Sequence, residues 1–325
     1  MPARFEEGRF QNLDRSKTIN KSLWDVLKWR MSRGDAARWP KRAGNAHVPD
    51  LPRSLGPRDV AVTGINHATD LIQFDGLNVL TDPIFSERAS PVSWAGPRRV
   101  RPPGLEFDAL PRIDAVLVSH NHYDHMDLAT LARLRRRDRP VFVVPLGNGG
   151  LLRSAGVDDA VELDWWEEAT LGDGASATLV PAQHWSGRGL LDRRRALWGG
   201  FFLRRGPASA YFAGDTGYGA HFKLIRERLG APDVALLPIG AYKPRWFMKD
   251  QHVDPEEAVR AHLDLGAGLS AGMHFGTFPL ADEGMDEPAE ALAACRRAAG
   301  VPDAAFPALY NGLTIRRNVA TSTSR

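Results

Sequence analysis

With 325 residues, 43% of them hydrophobic and 25% charged, the chain can bury a large core as one big domain or two intimate halves. A single cysteine, Cys295, excludes a disulfide scaffold and a thiolate metal site, and no run approaches the roughly 18 uninterrupted apolar residues of a spanning helix. The net charge of +3 argues against nucleic acid as a partner; its excess sits in the first 50 residues, with 11 Lys and Arg against 6 Asp and Glu, and the rest of the chain is slightly acidic.

In chain order, "MPARFEEGRFQNLDRS" has no apolar leader, so a cytoplasmic location is expected. "NKSLWDVLKWRMSRG" follows. On a helical wheel Leu23, Trp24, Val26, Leu27 and Met31 share one side, Lys21, Asp25 and Lys28 lie opposite, and Trp29 sits on the flank. This pattern fits an interfacial helix on an anionic membrane surface, peripheral on the inner face, or a helix packed on the protein's own core or on a homodimer mate. Residues 1–58 are therefore set apart as a basic extension, whose first 33 residues could be removed without touching chemistry on a soluble substrate. Residues 59–325 form the main domain.

From Val60 onward short β-like runs alternate with turns and amphipathic helices, which favours a layered α/β architecture. "LIQF" and "LNVL" flank Asp75-Gly76, a hairpin signal. "IDAVLVS" is a continuously apolar, buried strand, and "DLATLARLRRR" a helix with Asp127 as N-cap. In the second half come strands "ATLVPA", "GGFFLR", "AYFAG" and "VALLPIG", then a helix with Asp254 at its N-cap, Pro255 at N1 and Gly266 past its end. Strand "LSAGMHF", helix "PAEALAACRRAAG" and a last strand around "ALYNGLTI" complete the chain. Cys295 falls on that helix, where a buried structural thiol is expected.

Behind "IDAVLV" stands "SHNHYDHMD". Side chains two apart share a face of an extended segment, so His120, His122 and Asp124 can point together, with His125 at the turn into the helix. Imidazoles and a carboxylate converging beside an apolar interior call for a bound cation. Nitrogen and oxygen donors without thiolate suit zinc first, with manganese or iron as alternatives. Further donors stand directly after apolar runs: His184 in "PAQHW", Asp215 in "FAGDTGY" and His274 in "MHFGTF". His47, His221 and His262 have no such company and are read as surface or core histidines.

Together these motifs resemble the metallo-β-lactamase superfamily. Within it, "LTDPIFSERASP", "ELDWWEE", "AGDTGY" and "PIGAYKPRWFMKDQHVDPEEAVRAH" are similar to N-acylphosphatidylethanolamine-hydrolysing phospholipases D. The resemblance implies an αββα sandwich, two mixed sheets with outer helices, and two zinc ions between the sheets. His120, His122 and His184 would hold one ion, Asp124, His125 and His274 the other, and Asp215 would bridge them. Asp82 in "LTDP" would orient a ligand, and Gln251, His252 and His67 would line the substrate pocket. Asp124, from within the ligand set, and His252, as an assisting acid, would take part in the chemistry.

A two-metal centre makes water the nucleophile near neutral pH, so no nucleophilic serine or cysteine is needed. The activity implied is cleavage of an N-acylated phosphatidylethanolamine to an N-acylethanolamine and a phosphatidic acid. The same cluster also serves lactonases and small-ester hydrolases, and a non-catalytic lipid-binding or regulatory member of the fold is the third alternative.

Overall fold

Two mixed sheets face each other in this computed structural model, which describes residues 1–17, 21, 23–32, 36–172, 174–189 and 191–318. The chain begins with a small hairpin, β1 (Arg4–Glu6) and β2 (Arg9–Gln11), and a helix α1 (Leu23–Ser32). The first large sheet uses β3 (Asp59–Asn66), β4 (Thr69–Phe74), β5 (Leu77–Thr81), β6 (Ala115–Leu117), β7 (Val141–Pro145) and β8 (Val161–Leu163), with α2 (Leu128–Arg137) and α3 (Gly149–Ser154) in its connections. The second uses β9 (Glu168–Gly172), β10 (Ala175–Val180), β11 (Gly200–Arg205), β12 (Ala208–Phe212), β13 (Val234–Pro238) and β14 (Leu269–Met273). Its helices are α4 (His221–Leu229), the short α5 (Arg245–Met248), α6 (Pro255–Leu265) and α7 (Glu287–Ala298). The last strand, β15 (Thr314–Asn318), returns to the first sheet and pairs antiparallel with β3.

The strand orders are β15-β3-β4-β5-β6-β7-β8 and β14-β13-β12-β11-β10-β9. Each sheet has an antiparallel part and a parallel part, the latter running from β5 through β8 in one and from β12 through β14 in the other. That division follows from connection length, because a parallel neighbour requires a crossover. Alternation along β6 and β7 shows the layering. Ala115, Leu117 and Val143 enter the core between the sheets, whereas Val116, Val118, Phe142 and Val144 pack outward with Leu131, Leu134 and Leu152 of α2 and α3. This is the expected sandwich with helices outside.

The Asp75-Gly76 hairpin forms, with Gly76 at φ 69°. Asp127 caps α2 by accepting from the Ala129 amide, and Asp254 and Glu257 form a reciprocal capping box on α6. The final strand starts later than expected. Gly312 has φ 87°, a Cβ there would meet the His47 carbonyl at 2.4 Å, and its amide bonds the Gly64 carbonyl, so 309–312 turns and pairing starts at Thr314. Cys295 is half-buried on α7, packed against the main core.

The first 17 residues do not stand off the domain. Phe10 is buried, its amide bonds the Arg194 carbonyl, and Ala3 bonds Asp164. On α1, Trp29 stacks on Phe247 with ring centres 5.0 Å apart and donates to Asp282, so the flank of the helix meets the protein. Trp24 and Met31 remain 77% and 78% exposed, and Leu27 is exposed too. The side chains of Leu23, Val26 and Arg30 lie outside the described residues. Among the described residues no helix is long and apolar enough to cross a membrane.

Candidate metal centre

The donors gather where core strands end, with Asp124 and His125 on the turn that leads from β6 into α2. His120 and His122 follow β6, His184 follows β10, Asp215 follows β12 and His274 follows β14. The ends of the two sheets are drawn close. Gly214 has φ 59°, and a Cβ on it would lie 2.6 Å from that of Ser119, so only glycine lets the Asp215 turn approach the His120 turn. His67, Asp82 and His274 are also left-handed, at φ 49°, 32° and 64°, a conformation costly for residues with a side chain and concentrated here at the strand ends that build the site.

Two groups of donors result. In the first, His120 Nε2 lies 2.8 Å and His184 Nε2 3.3 Å from His122 Nδ1. In the second, His67, Asp124, His125 and His274 bring one ligand atom each within 4.8 Å of one another. Asp215 stands between them. Its Oδ2 is 3.2 Å from His125 Nε2 and 3.8 Å from His184 Nε2, and its Oδ1 is 3.0 Å from His274 Nε2.

Three of the histidines have their second nitrogen engaged outside the cluster. His120 Nδ1 meets Ser119 Oγ at 2.9 Å, His125 Nδ1 meets Asp82 Oδ2 at 2.6 Å, and His184 Nδ1 meets the Gln251 carbonyl at 3.0 Å. Each partner selects the tautomer whose Nε2 lone pair points into the cluster. Asp82 is itself fixed by the Ser119 amide and hydroxyl, both at 2.6 Å.

The electrostatics of the two groups differ. Burial holds His120 and His184 well below the usual imidazole range and His122 at about 4, so the first group is neutral. Burial would also depress His125 and His274, but the Asp215 and Asp124 carboxylates outweigh it and raise both, His274 to about 9. The Nε2 atoms of the two rings lie 3.1 Å apart beside these carboxylates, which marks a place where positive charge belongs. Buried nitrogens facing one another at such distances, with carboxylates between them, fit a pair of metal ions and nothing apolar. The cluster is suited to a dinuclear centre.

A cavity of about 430 Å³ opens over it, walled by His122, Asp124, Asp215, Trp185, Gln251 and His252 among others. Among the described residues that line it there is no serine, threonine or cysteine. Gln251 accepts the Trp185 indole N–H at 2.9 Å, and the Trp185 ring packs 4.2 Å from that of His122. His252 Nδ1 lies 3.7 Å from Asp215; burial lowers its pKa to about 4, so the ring is neutral at pH 7. His67 joins the second donor group rather than the pocket wall alone, with Nε2 3.1 Å from Asp124 Oδ2. The His47 ring lies tilted against that of Tyr310, His221 meets Thr216 Oγ1 and His262 meets Ser270 Oγ, all outside the cluster.

Three supports had no signal in the sequence. Asn12 Nδ2 donates to the His184 carbonyl at 2.9 Å and its Oδ1 accepts the His184 amide at 3.1 Å, so a side chain from the N-terminal hairpin clamps a cluster residue by its backbone. Buried Glu283 accepts the amides of Ala241 (2.5 Å) and Lys243 (3.1 Å) and fixes the loop beside the cavity. Arg188 joins the cavity wall from the glycine-flanked turn after His184.

The family model described as "Beta-lactamase superfamily domain" matches residues 77–275. An uncharacterized protein of Mycobacterium tuberculosis (strain H37Rv) is 42% identical over 89% of this chain and 78% of its own. The N-acyl-phosphatidylethanolamine-hydrolyzing phospholipase D 1 of Caenorhabditis elegans is 40% identical, the match covering 67% of this chain and 64% of the worm protein. A metallo hydrolase structure from Ignicoccus hospitalis superposes with a TM-score of 0.60 at 24% identity, covering 81% of this chain and all of the other. Sandwich, strand-end donors and relatives agree: the chain belongs to the metallo-β-lactamase superfamily and is a metal-dependent hydrolase.

Proposed function

We propose that this protein is a zinc-dependent phosphodiesterase of phospholipase D type, which releases an N-acylethanolamine and a phosphatidic acid from N-acylphosphatidylethanolamine-like lipids. The observation that carries the reading is Asp215, whose two oxygens face both donor groups, an arrangement suited to in-line displacement at phosphorus. The worm relative, named for that reaction, supports the substrate class.

His120, His122 and His184 would hold one ion, Asp124, His125 and His274 the other, and His67 stands ready beside Asp124. Bound there, the ions supply the Lewis acidity that makes water nucleophilic near pH 7 and offset charge on the phosphoryl oxygens. Asp82, Ser119 and the Gln251 carbonyl keep the imidazoles in the tautomer that ligation requires. His252, neutral at pH 7, acts as a hydrogen-bond donor toward the reacting diester rather than as an imidazolium acid. Trp185, Met248 and Leu280 give the wall apolar character and shield the diester from bulk water.

A membrane surface is the proposed workplace, approached from the cytoplasm. Exposed Trp24, Leu27 and Met31 lie on a helix whose Lys28 sits 5.0 Å over the ring of Trp246, a half-exposed residue of α5 near the cavity wall. The test is purified, zinc-loaded protein offered N-acylphosphatidylethanolamine, a soluble phosphodiester and an acyl-homoserine lactone in parallel, in ¹⁸O-labelled water. The label should appear in the phosphatidic acid. Turnover of the lactone alone would refute the proposal.

A further inference from the structure

Beside the metal cavity lies a second one of about 670 Å³, and the two share only Tyr123 and Arg188. Arg188 is held there firmly. Its Nη1 donates to the Asn121 and Met126 carbonyls at 3.0 and 2.9 Å, its guanidinium carbon lies 3.9 Å from the centre of the Tyr123 ring, and the Tyr123 hydroxyl donates to its carbonyl. Its backbone is pinned too, because Asp192 accepts the amides of Arg188 and Gly189 at 2.9 and 2.8 Å. Nη1 makes both hydrogen bonds to these backbone carbonyls, the Tyr123 side chain is the guanidinium's other polar neighbour, and among the described residues Arg188 forms no ion pair. Burial lowers its pKa, with Tyr123, Asp127 and Asp192 acting the other way, and the guanidinium stays cationic. A fixed, half-buried cation whose Nε–Nη2 edge is not tied to a carbonyl or a carboxylate, beside the cluster proposed to process a diester, suits an anionic partner.

We propose that Arg188 is the residue by which this site selects an anionic phosphodiester over a neutral ester or lactone, its Nε–Nη2 edge meeting the phosphate while the cavities on either side take the diester's two organic arms. This rests on the phosphodiesterase reading above and sharpens it. Metals bind carbonyl and phosphoryl oxygens alike, so they discriminate poorly between the two substrate classes. A planar guanidinium matches two phosphate oxygens and gains nothing comparable from a lactone. Seven residues of the shared turn, 120–126, place both the cluster histidines and the carbonyls that orient Arg188, so metal and anion recognition are built on one segment.

The test compares wild type with Arg188→Gln and Arg188→Lys, each loaded with zinc and checked for metal content. Calorimetry with dibutyl phosphate should show about tenfold weaker binding in Arg188→Gln. Its kcat/KM for bis(p-nitrophenyl) phosphate should fall about a hundredfold while that for p-nitrophenyl acetate changes less than about threefold, and Arg188→Lys should fall between. The ratio of the two substrates is independent of the folded fraction, so partial misfolding does not mimic the result. Equal dibutyl phosphate affinities, an equal fall on both substrates, or loss of metal would each overturn the assignment and leave Arg188 as a brace for the 121–126 turn. If wild type cleaves no phosphodiester at all, the phosphodiesterase reading fails, and the dibutyl phosphate arm still decides whether Arg188 binds the anion.

Discussion

The strand ends of the sandwich and the first 17 residues of the chain meet at His184, and they hold it by opposite means. From the core side the contact is imidazole chemistry: Nδ1 on the Gln251 carbonyl, Nε2 facing His122 and Asp215. From the N-terminal side it is backbone carpentry, with Asn12 bonding both the amide and the carbonyl of His184 and Gln183 donating to the Asp14 carbonyl. The first kind of support needs rare residue types at fixed places. The second uses common ones and requires only that a hairpin arrive at the right edge. A segment that looks detachable can therefore be part of the site's frame.

The largest effect is expected from the core side. Asp215→Asn should lower kcat about a thousandfold or more with an unchanged circular dichroism spectrum, because it removes the one charge shared by both donor groups. Retained turnover would remove Asp215 from the centre. Next come the two kinds of brace, compared directly: Asp82→Asn should cost about 100-fold in activity or metal affinity and Asn12→Ala about 10-fold, the range for partners that orient ligands. If Asn12→Ala behaves as wild type in metal retention, the hairpin is detachable after all.

Legibility follows the same division. His120, His122, Asp124, His125, His184, Asp215 and His274 could be named from the sequence because the dense cluster in "SHNHYDHMD" gives meaning to single donors behind other apolar runs, and the structure brings all seven together. Capped helices such as α6 and the Asp75-Gly76 hairpin were equally plain, since their signals are local. Asn12, Glu283 and Arg188 were not. Their roles depend on contacts of 172, 42 and 67 positions' separation, made to backbone atoms that carry no sequence signature. The left-handed turns at His67, Asp82 and His274 were also hidden, because such φ values are ordinarily announced by glycine or asparagine.

Acid stability gives a smaller test of how the N-terminal segment is seated. Burial, then the charge of Lys17, whose ammonium donates to the Tyr218 carbonyl, lowers His221 to about 3. A histidine pKa depressed on folding leaves stability intact above the unfolded value of roughly 6.5, and removes it as pH falls below that value, by about 1.4 kcal/mol per pH unit. His221→Gln should flatten the fall between roughly pH 6 and pH 4 by that amount, as read by urea unfolding at each pH. An unchanged slope would mean that His221 is accessible to solvent. The smallest effect on chemistry is expected from Trp24→Ser, Leu27→Ser and Met31→Ser combined, which should leave turnover of a soluble diester within about twofold while abolishing sedimentation with anionic vesicles. Loss of soluble turnover would give these exposed residues a part in the frame.

The dinuclear centre is tested most directly by counting. Wild-type protein stripped with chelator, reloaded with zinc and desalted should retain two ions per chain by elemental analysis. A stoichiometry of one, or retention of none, would contradict the account of two donor groups joined by Asp215.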